Sequence, residues 1–194
     1  MAAVAAAALF FQAPAAGAHL MNTGLGPFYD GLAHPFVTPQ DLLPVLALSL
    51  LAGLRGPAWG RVVLFVLPAA WLGGSLAGRL AASAEVRPTA VAILTIALGA
   101  LVAADRPMPV AAVAALAVLL GLLNGGMGGL ELARARAGAL PDLGAACSIF
   151  VVVALLAGNV VSLSVHWARV AVRVAGSWIA AIGLLMLGWT FRGA

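Results

Sequence analysis

Six long apolar runs leave this chain few folds to choose from. They lie at approximately 39–54, 60–80, 88–104, 108–132, 142–163 and 170–190, and charges fall almost entirely between them or at their ends. A helix needs roughly 20 apolar residues to cross a bilayer, and each run approaches that length, the first being shortest. The runs are continuous, not alternating, which selects helices over a transmembrane barrel. Breaks fall at Arg55-Gly56-Pro57, Glu85-Val86-Arg87-Pro88, Asp105-Arg106-Pro107, Gly138-Ala139-Leu140-Pro141 and around His166. Proline near a helix start fits, because its missing N–H costs nothing there. Of 194 residues, 64% are apolar and 8% charged, against about 25% charged in soluble domains. A soluble core of this size has no room for so much Ala, Leu and Val, and lipid supplies the missing burial. The expected fold is all-α: a polytopic membrane bundle with six transmembrane helices over residues 39–194, after an N-terminal signal-like segment.

The formal charge of +4 does not indicate a nucleic-acid partner. All ten basic residues are Arg, set singly between apolar runs, where they read as interface anchors. With the first loop outside, Arg55, Arg61, Arg106, Arg169 and Arg173 fall inside, and Arg79, Arg87, Arg134, Arg136 and Arg192 outside. Five against five gives no orientation. The single cysteine, Cys147, excludes an intrachain disulfide.

Residues 1–18 are Ala-rich and end in Ala16-Gly17-Ala18, which resembles a secretory cleavage site. Cleavage after Ala18 is the favoured expectation, and it alone puts the amino terminus outside, in the periplasm. The alternative is an uncleaved first helix, which Pro14 and the short length oppose. Cleavage would expose His19, whose imidazole beside a terminal amine chelates copper or nickel; the simpler account is a histidine that merely follows a cleavage site. Residues 19–38 are rich in Gly and Pro and are expected as an extracytoplasmic loop carrying His19, Asp30 and His34.

Two stretches are candidates for chemistry. In the first, His34 precedes Thr38, Pro39 and Asp41. Thr38 as N-cap, Pro39 at N1 and Asp41 at N3 form a capping arrangement, so Asp41 has a structural explanation. His34 has none; it is either a metal ligand or a loop-closing hydrogen-bond partner. In the second, Asn124, Met127, Gly128 and Glu131 are spaced 0, 3, 4 and 7, one face of a helix. Polar groups in a span normally face the bundle interior. The competing account puts Glu131 among headgroups, paired with Arg134 or Arg136. Asn159, Ser162, Ser164 and His166 form a weaker third group, with His166-Trp167 reading as interfacial. Small residues repeat every four positions at Ala70, Gly74 and Gly78, and again at Gly121, Gly125 and Gly129, as close intramolecular helix packing requires. No nucleotide loop, hydrolase elbow or zinc-protease helix is present, and no base-and-nucleophile pair suggests an enzyme.

These stretches resemble the HupE/UreJ family, membrane proteins linked to nickel supply for hydrogenases and ureases. A first family motif reads approximately His-Pro-x-x-Gly-x-Asp-His; His34-Pro35 match, while Thr38, Gln40 and Asp41 stand for the Gly, Asp and second His. A second reads approximately His-Gly-x-x-His-Gly-x-Glu; Gly125, Gly129 and Glu131 match, while Asn124 and Gly128 stand for the histidines. Three family imidazoles are thus absent. The resemblance implies a divergent protein of the bacterial cytoplasmic membrane, partnered by the bilayer, a divalent metal ion such as Ni2+ and metalloenzyme-maturation proteins. On that reading His19, Asp30 and His34 capture the ion, and Asp41, Asn124, Met127 and Glu131 line its path. The alternative is an accessory protein that transports nothing and docks a partner.

Overall fold

The computed structural model describes residues 23–81 and 88–191, which form seven helices. They are α1 (Pro27–Val37), α2 (Pro39–Arg55), α3 (Pro57–Leu80), α4 (Pro88–Ala104), α5 (Val110–Arg134), α6 (Leu140–Val161) and α7 (His166–Thr190). No strand occurs among the described residues. The signal-like segment and His19 lie outside them.

Proline sets the helix starts. Pro27, Pro39 and Pro57 occupy the first turns of α1, α2 and α3, where no N–H is needed. Gly56, at φ 122°, both ends α2 and begins α3. A side chain is strained at that angle, so glycine permits a one-residue reversal. Thr38 joins α1 to α2 in an extended conformation, as the residue before a proline prefers, and the two helices bend by 74°.

Residues 27–37, expected as loop, are helical. Their Gly and Pro content masked this: Pro27 starts the helix, and Gly31 is a packing site, since a Cβ there would collide with the Pro141 carbonyl of α6.

Helices α3, α5, α6 and α7 are long and apolar enough to cross a membrane, making four, or five if the bent α1–α2 pair is one span. The expected six runs correspond to the helices α2–α7, of which four or five reach spanning length among the described residues. At 1.5 Å per residue, the 25 residues of α5 or α7 reach about 37 Å, whereas the 17 of α2 reach only about 25 Å, short of the roughly 30 Å core. Between 22% and 44% of each long span is buried within the protein. The rest exposes residues such as Phe65, Leu155, Leu185 and Trp189, a surface suited to lipid.

The two glycine stripes pack against each other. A Cβ on Gly74 would lie 2.7 Å from the Leu122 carbonyl oxygen, and one on Gly121 would lie 2.6 Å from the Ala70 Cβ. Gly125 meets Trp71 and Gly129 meets Ser75, so α3 and α5 run parallel, backbone against backbone. Helices α4 and α7 use the same device antiparallel, with Gly99 against Ala180 and Gly176 against Val102. Leu48, Leu51, Leu67, Leu98, Leu120 and Ile149 are fully buried between the helices.

The direction of α2 to α7 alternates, so charged residues gather at two opposite ends. Arg55 pairs with Asp105, Arg169 Nη2 approaches Asp105 at 3.9 Å and also donates to the Leu54 carbonyl at 3.1 Å. The Trp59 indole donates to Met108 at 3.0 Å in the same layer. The other end holds α1, with His34, Asp41, Glu131 and Asp142.

Gly125→Ala is expected to lower the thermal midpoint of the purified protein in detergent by several degrees, the order expected for overpacking of about 1–3 kcal/mol. Gly128→Ala, whose Cβ meets nothing within 4 Å, leaves it unchanged or slightly raised. Circular dichroism melts check this; equal midpoints would contradict the packing account.

Candidate functional site

Five titratable side chains converge on one cavity at the α1 end. It measures about 180 Å3 and is lined by Asp30 and His34 from α1, Asp41 from α2, Glu131 from α5 and Asp142 from α6, with Trp71 of α3 among its apolar walls. Asp30 and His34 are one helical turn apart, so both reach the same face. Gly128 and Glu131 line the cavity from α5, while Met127, expected beside them, does not.

Each polar group in this region has a defined setting. His34 Nε2 stands 3.4 Å from Asp41 Oδ2. The Asn124 amide donates to Asp41 Oδ1 and to the Gln40 carbonyl, both at 3.0 Å. Asp41 and Asn124 are almost fully buried, and the amide holds the carboxylate so that its second oxygen faces His34. The Asn124 carbonyl oxygen has no hydrogen-bond partner among the described residues. Asp30 accepts from the Thr23 backbone N–H at 2.6 Å and the Thr23 hydroxyl at 2.7 Å, folding the lead-in segment over the start of α1.

These contacts revise two expectations. Thr38 makes no side-chain cap, and the Asp41 carboxylate is turned to His34 and Asn124, so Asp41 belongs to the cavity and not to a capping box. Glu131 forms no ion pair with Arg134 or Arg136 among the described residues; it faces the cavity. The third group stays apart: Asn159 donates to Leu155 at 2.6 Å, Ser162 to Asn159 at 2.7 Å, and His166 is exposed at the start of α7.

Asp142, Ser75 and Arg79 were not legible as site residues. Ser75 donates a short hydrogen bond to Asp142 Oδ1. Arg79 grips Asp142 Oδ2 through Nε at 2.8 Å and Nη2 at 2.6 Å, and donates onward to the carbonyls of Ala137 at 2.8 Å and Gly138 at 2.7 Å. One arginine thus fastens the end of α3 to the α5–α6 turn and neutralises one cavity carboxylate. The available signal was an acid directly after Pro141 and an arginine four residues after Ser75 on a small-residue helix. That the two meet is not written locally.

His34, Asp41 and Glu131 are the donors left facing the space. Among the described residues, no three His, Cys, Asp or Glu side chains stand close enough to hold a metal ion. The seven expected ligands therefore form no single coordination sphere: four line the cavity, Asn124 supports it from behind, Met127 lies off it and His19 is outside the described residues.

The family described as HupE / UreJ protein matches residues 6–186. The chain belongs to the HupE/UreJ family. No curated relative and no solved structure matches it. In this HupE/UreJ protein, Asp41 and Asn124, two of the positions at which the sequence resemblance leads us to expect histidines, are hydrogen-bonded to each other. A third such position, Gly128, is open space at the cavity wall.

Asp142→Leu leaves Arg79 charged without a carboxylate and is expected to destabilise the protein by about 3 kcal/mol. The double replacement Arg79→Met with Asp142→Leu is expected to recover most of that loss. A double-mutant cycle of melting midpoints checks it; additive losses would show that the pair does not act as a unit.

Proposed function

We propose that this protein handles a divalent transition-metal ion, nickel-like in chemistry, and passes it across the membrane from the α1-end cavity. The observation that carries the reading is the meeting of His34, Asp41 and Glu131 in one cavity of a HupE/UreJ bundle. An imidazole with two carboxylates suits a borderline divalent cation. Because no three of these side chains among the described residues stand close enough to enclose an ion, the ion keeps part of its water shell. Weak holding of this kind is what permeation requires, since an ion that enters must also leave. On this reading the α1 end faces the periplasm, the chain sits in the bacterial cytoplasmic membrane after removal of residues 1–18, and His19 and Asp30 assist capture.

A second reading is an accessory protein that transports nothing and docks a metalloenzyme-maturation partner. It is favoured by the closure of Asp41 on Asn124 and of Asp142 on Arg79, which leaves few ligands free.

Reconstituted proteoliposomes separate the two. Transport predicts nickel uptake by the wild type that falls roughly tenfold or more in His34→Ala and Glu131→Gln, in proportion to lost ligation. Absence of uptake in the wild type, or equal uptake in all three, would leave the accessory reading.

A further inference from the structure

At the end opposite the cavity, the α3 and α6 helices part to leave a groove of about 250 Å3. Its walls are Pro57, Gly60 and Leu64 of α3 and Val153, Ala157 and Gly158 of α6, nearly all apolar, with Arg61 as the charged side chain along it. From 153 to 161 the α6 wall rises roughly 12 Å, the depth of the upper part of an acyl chain. Gly158 is exposed and a Cβ there would meet nothing within 4 Å, so the groove is open rather than filled by packing. Arg61 is exposed and has no hydrogen-bond or ion-pair partner among the described residues.

Charge at this end is one-sided. Arg55, Arg61, Arg106, Arg169 and Arg173 gather there against Asp105, which Arg55 and Arg169 already engage. Arg173 is turned to the Ala103 carbonyl at 3.0 Å. Arg61 is thus a free guanidinium beside an apolar slot, at the level where a span meets headgroups. Guanidinium binds phosphate through paired N–H donors, and basic pockets between membrane helices recognise anionic headgroups.

We propose that the α3–α6 groove is a binding site for an anionic phospholipid of the surrounding bilayer, with the phosphate on Arg61 and an acyl chain along Gly60, Leu64, Ala157 and Gly158. The site is separate from the metal-handling cavity and does not depend on its assignment. A zwitterionic lipid of the same chain length fits the slot equally but lacks the net charge that the local excess of arginine favours.

Native mass spectrometry of the purified full chain tests this with phosphatidylglycerol and phosphatidylcholine of identical acyl chains. The wild type is expected to retain one phosphatidylglycerol in preference to phosphatidylcholine. Arg61→Gln is expected to reduce that retention roughly tenfold and to abolish the preference, while Arg61→Lys restores part of it. Gly158→Leu fills the slot from an exposed position and is expected to remove both lipids. Equal retention of the two lipids by the wild type would overturn the proposal, as would no effect of Arg61→Gln and Gly158→Leu. A dimer that Gly158→Leu dissociates, in place of any lipid adduct, would put a second copy in the groove and overturn it as well.

Discussion

Backbone contact between α3 and α5 is the constraint on which the rest of the structure rests. In a bilayer, apolar side chains gain little by leaving lipid for another helix, so association depends on close packing and polar contacts. Gly74, Gly78, Gly121, Gly125 and Gly129 bring the two backbones together. Because the helices are parallel, α4 must carry the chain back across the bundle, which it does packed on α7 and α2, and the carboxyl half of α5 is fixed beside Ser75 and Arg79. That registration places Glu131 and Asn124 at the end of the bundle where α1 and α2 enter.

Polar groups then complete the arrangement in pairs. Asn124 holds Asp41, Asp41 faces His34, and Arg79 closes on Asp142. In surroundings of low dielectric an unpartnered charge is costly, so these pairings fix where the helices end as well as what they do. The cavity is what lies between the pairs, and its free donors are few. At the far end Asp105 ties α2, α4 and α7 together with Arg55 and Arg169. The charged residues thus serve as rivets at both ends, and the buried polar groups between them, Ser49, Thr95 and Ser148, bond back to carbonyls of their own helices.

Much of this was legible in the sequence. Continuous apolar runs located α2 to α7, because hydrophobic length is a local property. The small-residue stripes showed which faces pack, because their four-residue period is helical. His34, Asp41, Asn124 and Glu131 stood out because polar residues in or beside membrane spans need a reason. What stayed hidden depends on distant partners. Helix α1 is poor in helix formers, and its position comes from Gly31 meeting Pro141 of α6 and from Gly144 of α6 meeting Phe28 and Leu32. Asp41 looked like a cap because Asn124, which claims its carboxylate, is 83 residues away. Asp142 and Arg79, separated by 63 residues, gave no local sign that they would meet. Among the described residues the six runs yield four or five helices of spanning length, because the apolar run of α2 is only 17 residues and continues into α1 through a bend.

Entry of a metal ion into the α1-end cavity is the step on which transport depends. Anomalous diffraction at the nickel edge, from crystals of the full chain grown with Ni2+, tests that most directly. A single peak within the cavity, between the His34 imidazole and the Glu131 carboxylate, is the predicted result. Crystals saturated with nickel that show no peak there, or peaks only outside the cavity, would contradict it.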